Sequence, residues 1–284
     1  MQKRRAIPLN LIILATLFSC HLHAQILQTE DAIPLDPKQI HIETSGGFQT
    51  EADSKEYNWY AEVEYRLSKR FMLLVEPALI SSIHPDSGTS ATGFGDIETI
   101  LFVRLTQEKK VLPFMSLAME MKIPTAQNPM IGTGKLDFSP FFVANKTTGK
   151  FFTSINLGYT FIGKPDSVLA NNFFNYGIAS IFTFAHESLL FAEVYGNTAS
   201  VDPDRYPEIV LPHSTIQENS EFGEGEIVFS LGYGYEFQNG WLLSGSVSYS
   251  NTNALLLRAG IQWESAKKKL KNVVTHIEKT VEKK

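Results

Sequence analysis

The sequence predicts an all-β fold, a transmembrane antiparallel up-and-down β-barrel of about 12 strands followed by a short C-terminal helix. Three observations predict this fold. Apolar and polar residues alternate with a period of two in segments of roughly ten residues, the length that a tilted strand needs to cross a bilayer. Short and long connections alternate between these segments. Only 19% of the 284 residues are charged and 12% are aromatic, whereas an ordinary soluble domain carries roughly 25% charge.

The first 24 residues have the pattern of a secretory signal peptide. Three basic residues at 3–5 precede a mostly apolar run at 9–18, and the sequence LHA at 22–24 is a tolerable cleavage site. Cys20, the only cysteine, follows LFS in a context that resembles a bacterial lipobox. Cleavage after residue 24 is the favoured interpretation and lipidation of Cys20 the alternative. Both predict export.

The charge and hydropathy of the exported chain limit the classes of partner that it is expected to bind. The 25 Lys and Arg residues, three of them in the leader, stand against 30 Asp and Glu, so nucleic acid is not an expected partner. After residue 24 no apolar run reaches the 18 or so residues of a membrane helix. The expected partners are therefore outer-membrane lipids, which strands would contact, and a small-molecule solute whose identity the sequence does not give.

The alternation is clearest at 57–67. Trp59, Val63 and Tyr65 share one face there, and Glu62 and Glu64 share the other, because successive side chains of a strand point to opposite sides. A bilayer core offers no hydrogen-bond partner to the backbone, so a sheet that spans it must close. We therefore expect the apolar faces to contact lipid and the charged faces to line an enclosed lumen.

The same pass along the chain gives twelve strands. They are predicted at 38–49, 57–67, 71–81, 94–106, 111–124, 136–146, 151–162, 173–184, 189–199, 225–236, 241–250 and 254–263. Aromatic residues near their ends are typical of the girdles of a membrane barrel. These residues are Trp59, Tyr65, Phe71, Phe151, Phe161, Tyr235, Trp241 and Trp263.

The connections predict the orientation. Short turns at 68–70, 107–110, 147–150, 185–188 and 237–240 alternate with mostly longer loops at 82–93, 125–135, 163–172 and 200–224, and 251–253 is a brief exception. Short periplasmic turns and long external loops are typical of outer-membrane barrels, and an even strand number places both chain ends in the periplasm. The predicted organisation is a signal peptide at 1–24, an outer-membrane barrel at 25–263 and a basic tail at 264–284.

A mixed set of charged residues is predicted to line the lumen. Twelve strands are intermediate between small filled barrels and wide porins, so we expect a narrow lumen. Charged rings tune pores, whereas paired charges on neighbouring strands also hold a barrel in shape; both interpretations stay open. The predicted lining residues are Glu62, Glu64, Arg66, Asp96, Glu98, Arg104, Glu120, Lys122, Glu226, Glu236 and Arg258.

Two segments have unusual charge. Residues 264–284 contain seven Lys and three Glu, with apolar residues at helical spacing. We favour a solvated tail. The alternative is an amphipathic helix that lies on the inner leaflet of the outer membrane or binds a periplasmic partner.

The acidic loop at 200–224 has no regular spacing of metal ligands, so a flexible lid is favoured over a calcium site. No metal and no cofactor are expected.

Five segments resemble, in order, those of a known family. They are YRLSKRF at 65–71, GFGDIE at 93–98, KIPT at 122–125, LDFSP at 136–140 and NLGYTF at 156–161. The family is the outer-membrane channel family named after the meta-cleavage pathway of phenol degradation. This resemblance implies a Gram-negative outer-membrane barrel that admits small, often hydrophobic or aromatic, compounds. It implies no catalytic residues, and the basic tail departs from the family's usual ending.

Three functional hypotheses follow. The leading one is a channel for passive uptake of small molecules, and the second is a non-conducting structural or anchoring barrel. The third, a barrel lipid hydrolase, needs a Ser and a His side by side on the outer wall. None of His41, His84, His186, His213 and His276 is predicted beside such a serine. We therefore expect no catalytic residues and no enzymatic activity.

Overall fold

The computed structural model describes residues 28–30, 40–51, 54–164, 171–185, 187–199, 225–237 and 240–264. These residues form twelve long strands and one short one. In the described part of the chain, no helix has the length and hydropathy that a membrane crossing requires. The strands are β1 (Ile40–Thr50), β2 (Ser54–Arg66), β3 (Phe71–Pro85), β4 (Ala91–Gly93), β5 (Ile97–Thr106), β6 (Phe114–Ile123), β7 (Asp137–Thr148), β8 (Phe151–Thr160), β9 (Phe173–Ala185), β10 (Ser188–Asn197), β11 (Glu226–Glu236), β12 (Trp241–Ser250) and β13 (Leu255–Glu264).

The sheet closes on itself. Each long strand pairs antiparallel with the next long strand along the chain, and β1 pairs with β13 from His41 opposite Glu264 to Thr50 opposite Leu255. The short β4 folds back on the far end of β3. Closure leaves none of the twelve long strands with an unpaired edge, which confirms the predicted 12-strand up-and-down barrel. The predicted C-terminal helix, the leader and the acidic loop at 200–224 lie outside the described residues.

The connections have unequal lengths at the two ends of the barrel. We call the end where β1 begins and β13 ends the terminal end, and the opposite end the loop end. Connections of two to seven residues join strands at the terminal end, whereas those at the loop end reach 28 residues between β10 and β11. In the two-residue turn between β7 and β8, Gly149 has a φ of 59°, a conformation that favours glycine. The predicted alternation is confirmed.

Two predicted strands begin too early. The strand predicted at 94–106 begins at Ile97, and residues 94–96 lie outside the regular strand although Gly95 N donates to Ala78 O (2.9 Å). The strand predicted at 111–124 begins at Phe114, since Pro113 has no N–H for the ladder and Val111 is 86% exposed in the preceding turn. The barrel also runs one residue beyond its predicted last position, to Glu264.

The two faces of the sheet carry different residues. On β11, Ile227, Phe229 and Leu231 are 39%, 59% and 65% exposed, whereas the intervening Val228 and Ser230 are 0% and 4% exposed. Because alternate side chains of a strand face opposite sides, the exposed set forms the outer surface of the barrel. Aromatic contacts follow this surface near both ends, such as Trp241 with Trp263 (6.2 Å between ring centroids) and Phe48 with Tyr57 (4.9 Å).

The inside of the barrel is partly apolar, which the charged pattern did not predict. One buried cluster, from β3, β5, β6 and β7, includes Met72, Phe102 and Phe114. A second, from β10 and β12, includes Phe191 and Leu242. Both clusters fill lumen space toward the terminal end. The polar cavity therefore lies between them and the loop end.

Candidate functional site in the barrel lumen

A cavity of about 200 Å³ lies inside the barrel. A water molecule occupies roughly 30 Å³ of liquid, so the space corresponds to about seven waters or one small solute. Its wall combines apolar and acidic residues. They include Leu74, Ile100, Phe141 and Phe173 together with Glu30, Glu76, Glu98, Glu120, Asp137 and Glu226.

Carboxylates concentrate on the wall formed by β3, β5 and β6. Glu76 lies opposite Glu98 in the β3 and β5 pairing, and Ile100 lies opposite Glu120 in the β5 and β6 pairing. Alternation turns all three carboxylates inward, and all three line the cavity. We call Glu76, Glu98 and Glu120 the acidic wall. Their proximity makes this part of the cavity favourable for a cation and unfavourable for an anion.

Lys122 is the only basic residue that lines this cavity among those the structure describes. Its Nζ lies 2.7 Å from Asp137 Oδ2 and 3.8 Å from Asp96 Oδ2, and all three side chains are at most 5% exposed. Asp96 Oδ1 also accepts from the backbone N–H groups of Thr125 (2.9 Å) and Ala126 (2.8 Å). The ammonium is thus held by two carboxylates, and the lining contains six carboxyl side chains for this one ammonium.

Residues 28–30 lie across the lumen. Thr29, which is 3% exposed, donates its backbone N–H to Glu193 Oε1, and Ser154 Oγ donates to the Glu30 carbonyl (2.7 Å). A Cβ at Gly177 would lie 2.7 Å from Thr29 Oγ1, so a glycine is needed for this close approach. The segment narrows the lumen, and no pattern in the sequence indicated that it would lie inside.

The opposite wall, from β8, β9, β11 and β12, is built mainly from hydroxyl and amide groups. Ser230 Oγ and Ser248 Oγ lie 2.7 Å apart, and Asn175 Nδ2 donates to Thr160 Oγ1 (2.7 Å). We call these four residues the hydroxyl wall. These polar groups satisfy one another, and two of the four residues, Thr160 and Asn175, present neutral polar groups to the cavity.

The structure brings some of the predicted lining residues together and separates others. Glu98, Glu120, Lys122 and Glu226 line the cavity, and Asp96 is buried beside Lys122. Arg258 Nη2 donates to Tyr195 OH (3.0 Å) across the lumen. Glu62 is buried nearer the terminal end. The remaining four, Glu64, Arg66, Arg104 and Glu236, are half-buried near that end.

Several lumen-facing residues were missed by the sequence analysis, and four of them illustrate why. Glu76 and Glu193 face the lumen on β3 and β10, where Pro77 and a run of apolar residues obscure the alternation. Asp137 opens β7, and Tyr195 is an aromatic residue at an inward position. When the period-two alternation is continued through these strands, Glu76, Glu193 and Asp137 fall at inward-facing positions. The crossing of residues 28–30 has no such periodic pattern.

The structure also places a serine beside a histidine, contrary to the expectation. His84 Nε2 lies 2.9 Å from Ser82 Oγ near the loop end of β3, and His84 Nδ1 lies 3.2 Å from Ser90 Oγ. A hydrolytic triad needs a carboxylate or amide to orient the histidine. In the described residues a serine occupies that position, so the pair lacks the third member of a catalytic site.

The fold is similar to that of known outer-membrane proteins. The COG4313 outer membrane channel from Pseudomonas putida F1 gives a TM-score of 0.59 at 12% identity, over 82% of this chain and 97% of that chain. The NanC porin gives 0.52 at 10% identity, over 79% and 98%. No family model matches the sequence, and neither does any curated protein. The chain therefore has the closed barrel fold of these structures.

Proposed function

We propose that this protein is an outer-membrane channel through which small molecules pass passively. The observation that carries the proposal is a closed barrel whose outside is apolar and whose inside holds a charged cavity. Lipid satisfies no backbone hydrogen bond, and a closed sheet is one of two structures that meet this condition. The COG4313 channel and the NanC porin, which share the fold, support the same proposal.

The outer surface supports a location in the membrane. Leu105, Phe229 and Leu231 are each more than half exposed, and many other large apolar residues around the barrel are exposed with them. A continuous apolar surface of this extent marks contact with a membrane or a partner. Its aromatic contacts near both ends correspond to the two girdles of an outer-membrane barrel. We assign the terminal end to the periplasm, because it has the shorter connections.

The cavity supports a preference among solutes. The acidic wall and the engagement of Lys122 by two carboxylates favour cations over anions. Both interpretations of the charged residues have support. Lys122, Asp96 and Asp137 form a network of paired charges that can hold the barrel in shape, whereas the acidic wall faces the cavity and can tune a pore. We therefore assign selectivity to the acidic wall and barrel cohesion to the Lys122 network.

The apolar part of the wall supports solutes with a hydrophobic or aromatic portion. Leu74, Ile100, Phe141 and Phe173 line the same cavity, and apolar surfaces of this kind bind the apolar part of a ligand. We also propose that the chain belongs to the channel family named after the meta-cleavage pathway of phenol degradation. In this proposal the leader at 1–24 directs export, and the tail at 264–284 contacts the inner leaflet or a periplasmic partner.

Recordings from the purified full-length protein in planar bilayers test the channel. We expect single-channel current steps. In a KCl gradient, we expect a reversal potential whose sign shows that potassium permeates better than chloride. Uptake of a small aromatic amine into proteoliposomes, compared with an aromatic carboxylate of the same size, tests the solute preference. Absence of both conductance and uptake in correctly folded protein would contradict a channel and favour the anchoring barrel. Deleting 265–284 and measuring envelope integrity tests that second function.

The absence of enzymatic activity is also testable. The Ser82 and His84 pair is the strongest hydrolytic candidate, so a phospholipid-hydrolysis assay should include the variant Ser82→Ala. We expect no hydrolysis from either protein. Hydrolysis by the wild type that the variant loses would replace the channel with a lipid hydrolase.

A further inference from the structure

A second cluster of ionisable side chains lies near the terminal end, away from the cavity. His41 and Glu43 face the lumen on β1, and Glu62 faces it on β2. One ligand atom from each of these residues lies within 4.8 Å of the others. Glu43 and Glu62 are directly opposite each other in the strand pairing. The register of β1 on β2 therefore brings together three groups that are 21 positions apart at most in the sequence.

The electrostatics of this cluster point to a cation. Two carboxylates directly opposite each other on one face of a sheet repel, and Glu43 and Glu62 are only 3% and 6% exposed. The carboxylates of Glu43, Glu64, Glu76 and Glu30 all repel the charged form of Glu62. Within the described residues, Glu62 has no hydrogen-bond or ion-pair partner of its own. Its buried carboxylate is directed at His41 and Glu43.

The geometry is close to that of a metal site. His41 Nε2 lies 3.6 Å from Glu43 Oε2, and two ligand atoms on one tetrahedral ion are roughly 3.4 Å apart. No two of the three ligand atoms are more than 4.8 Å apart, and side-chain shifts of about 1 Å, within ordinary rotamer freedom, bring them to ligand distance. Gln262 Nε2, from β13, donates to Glu43 Oε2. Such hydrogen bonds commonly hold a ligating carboxylate in position.

We propose that His41, Glu43 and Glu62 bind a divalent transition-metal ion of the zinc class near the terminal end of the lumen. An imidazole nitrogen with two carboxylates selects zinc, cobalt or nickel over calcium and magnesium, which prefer oxygen alone. The ion neutralises the opposed carboxylates and links β1 to β2 beside the β1 and β13 pairing that closes the barrel. The sequence alone predicted no metal, because only the strand register aligns these residues. This site is separate from the channel function.

Calorimetric titration of the chelator-treated, full-length protein in detergent with Zn²⁺ tests the proposal. We expect one equivalent bound by the wild type, and an affinity at least tenfold lower in each of the variants His41→Gln and Glu62→Gln. The matched controls are Glu56→Gln, another buried carboxylate on the lumen face of β2, and His84→Gln, an exposed histidine at the loop end. Both controls should bind as the wild type does. Heat-modifiable migration in gels confirms that every variant is folded.

Cobalt substitution gives a second measurement. Co²⁺ bound by one imidazole and carboxylates has visible absorption bands that report its coordination, and His41→Gln should abolish or shift them. The proposal is overturned if the wild type binds no Zn²⁺, or if either His41→Gln or Glu62→Gln binds it as tightly as the controls. Equal binding in those variants would place the ion on histidines elsewhere in the chain.

Discussion

The acidic wall and the hydroxyl wall lie on opposite sides of one lumen and differ in how their polar groups are satisfied. On the hydroxyl wall, Ser230 pairs with Ser248 at 2.7 Å, and Asn175 donates to Thr160 at the same distance. On the acidic wall, Glu76 and Glu98 are directly opposite each other. Neutral groups that bond to one another contribute cohesion, whereas like charges held together create a field in the cavity. The two walls should therefore respond differently to mutation.

The largest expected effect is on ion selectivity. A carboxylate attracts a cation 4 Å away by about 1 kcal/mol even in bulk water. The triple variant with Glu76→Gln, Glu98→Gln and Glu120→Gln should therefore lower the ratio of potassium to chloride permeability by about tenfold or more. Reversal potentials in a KCl gradient measure this ratio. The control with Ser230→Ala and Ser248→Ala should keep the wild-type potential, and an equal change in both variants would remove the distinction between the walls.

The next largest effect is on stability, at the Lys122 network beside the acidic wall. Lys122→Met leaves Asp96 and Asp137 buried without their cation, which costs about 3–5 kcal/mol in comparable buried pairs. Lys146→Met is the matched control, because Lys146 pairs with Glu108 at 3.0 Å with side chains 29% and 20% exposed, and pairs that water reaches contribute less, down to about 0–1 kcal/mol at a fully exposed surface. Urea unfolding followed by tryptophan fluorescence compares them. Similar losses in both variants would contradict the network's structural role.

A smaller effect is expected where residues 28–30 contact the wall. Glu193→Ala removes the acceptor for the Thr29 N–H, and hydrogen bonds to charged groups contribute about 1.5–3 kcal/mol. We expect a larger or more variable single-channel conductance in bilayers, because the segment would lie less tightly across the lumen. The matched control is Glu108→Ala, a carboxylate at the terminal end. An unchanged conductance in Glu193→Ala would mean that these residues do not restrict passage.

The smallest effect is expected on the hydroxyl wall. Ser248→Ala breaks the Ser230 and Ser248 hydrogen bond and should destabilise the barrel by about 1 kcal/mol. Selectivity should not change, since the pair is neutral. The midpoint of urea unfolding and the reversal potential, measured on the same preparation, separate the two outcomes. A change of selectivity in this variant would show that the hydroxyl wall also contributes to the field.

The barrel could be predicted from the sequence because period-two alternation and connection length both follow from membrane physics. The inward direction of Glu62, Glu98 and Glu120 depends only on that period. Contacts between distant strands could not be predicted in this way. The approach of Glu43 to Glu62 depends on register, and the contact of Thr29 with Glu193 joins residues 164 positions apart. The apolar clusters inside the barrel were missed because Phe191 and Leu242 interrupt the polar face.

The most direct test of the account is the environment of single cysteines placed along β11. The chain has one cysteine, in the predicted leader, so the exported protein offers a clean background. Labels at Ile227, Phe229 and Leu231 should be quenched by a lipid-phase quencher in liposomes, whereas Val228 and Ser230, which are 0% and 4% exposed, should be shielded from it, and a cysteine at Glu226, which lines the cavity, should react with a small water-soluble thiol reagent. A membrane barrel with lipid outside and an enclosed lumen gives this alternation. Equal lipid quenching at all five positions, or water access to the 227, 229 and 231 set alone, would contradict it.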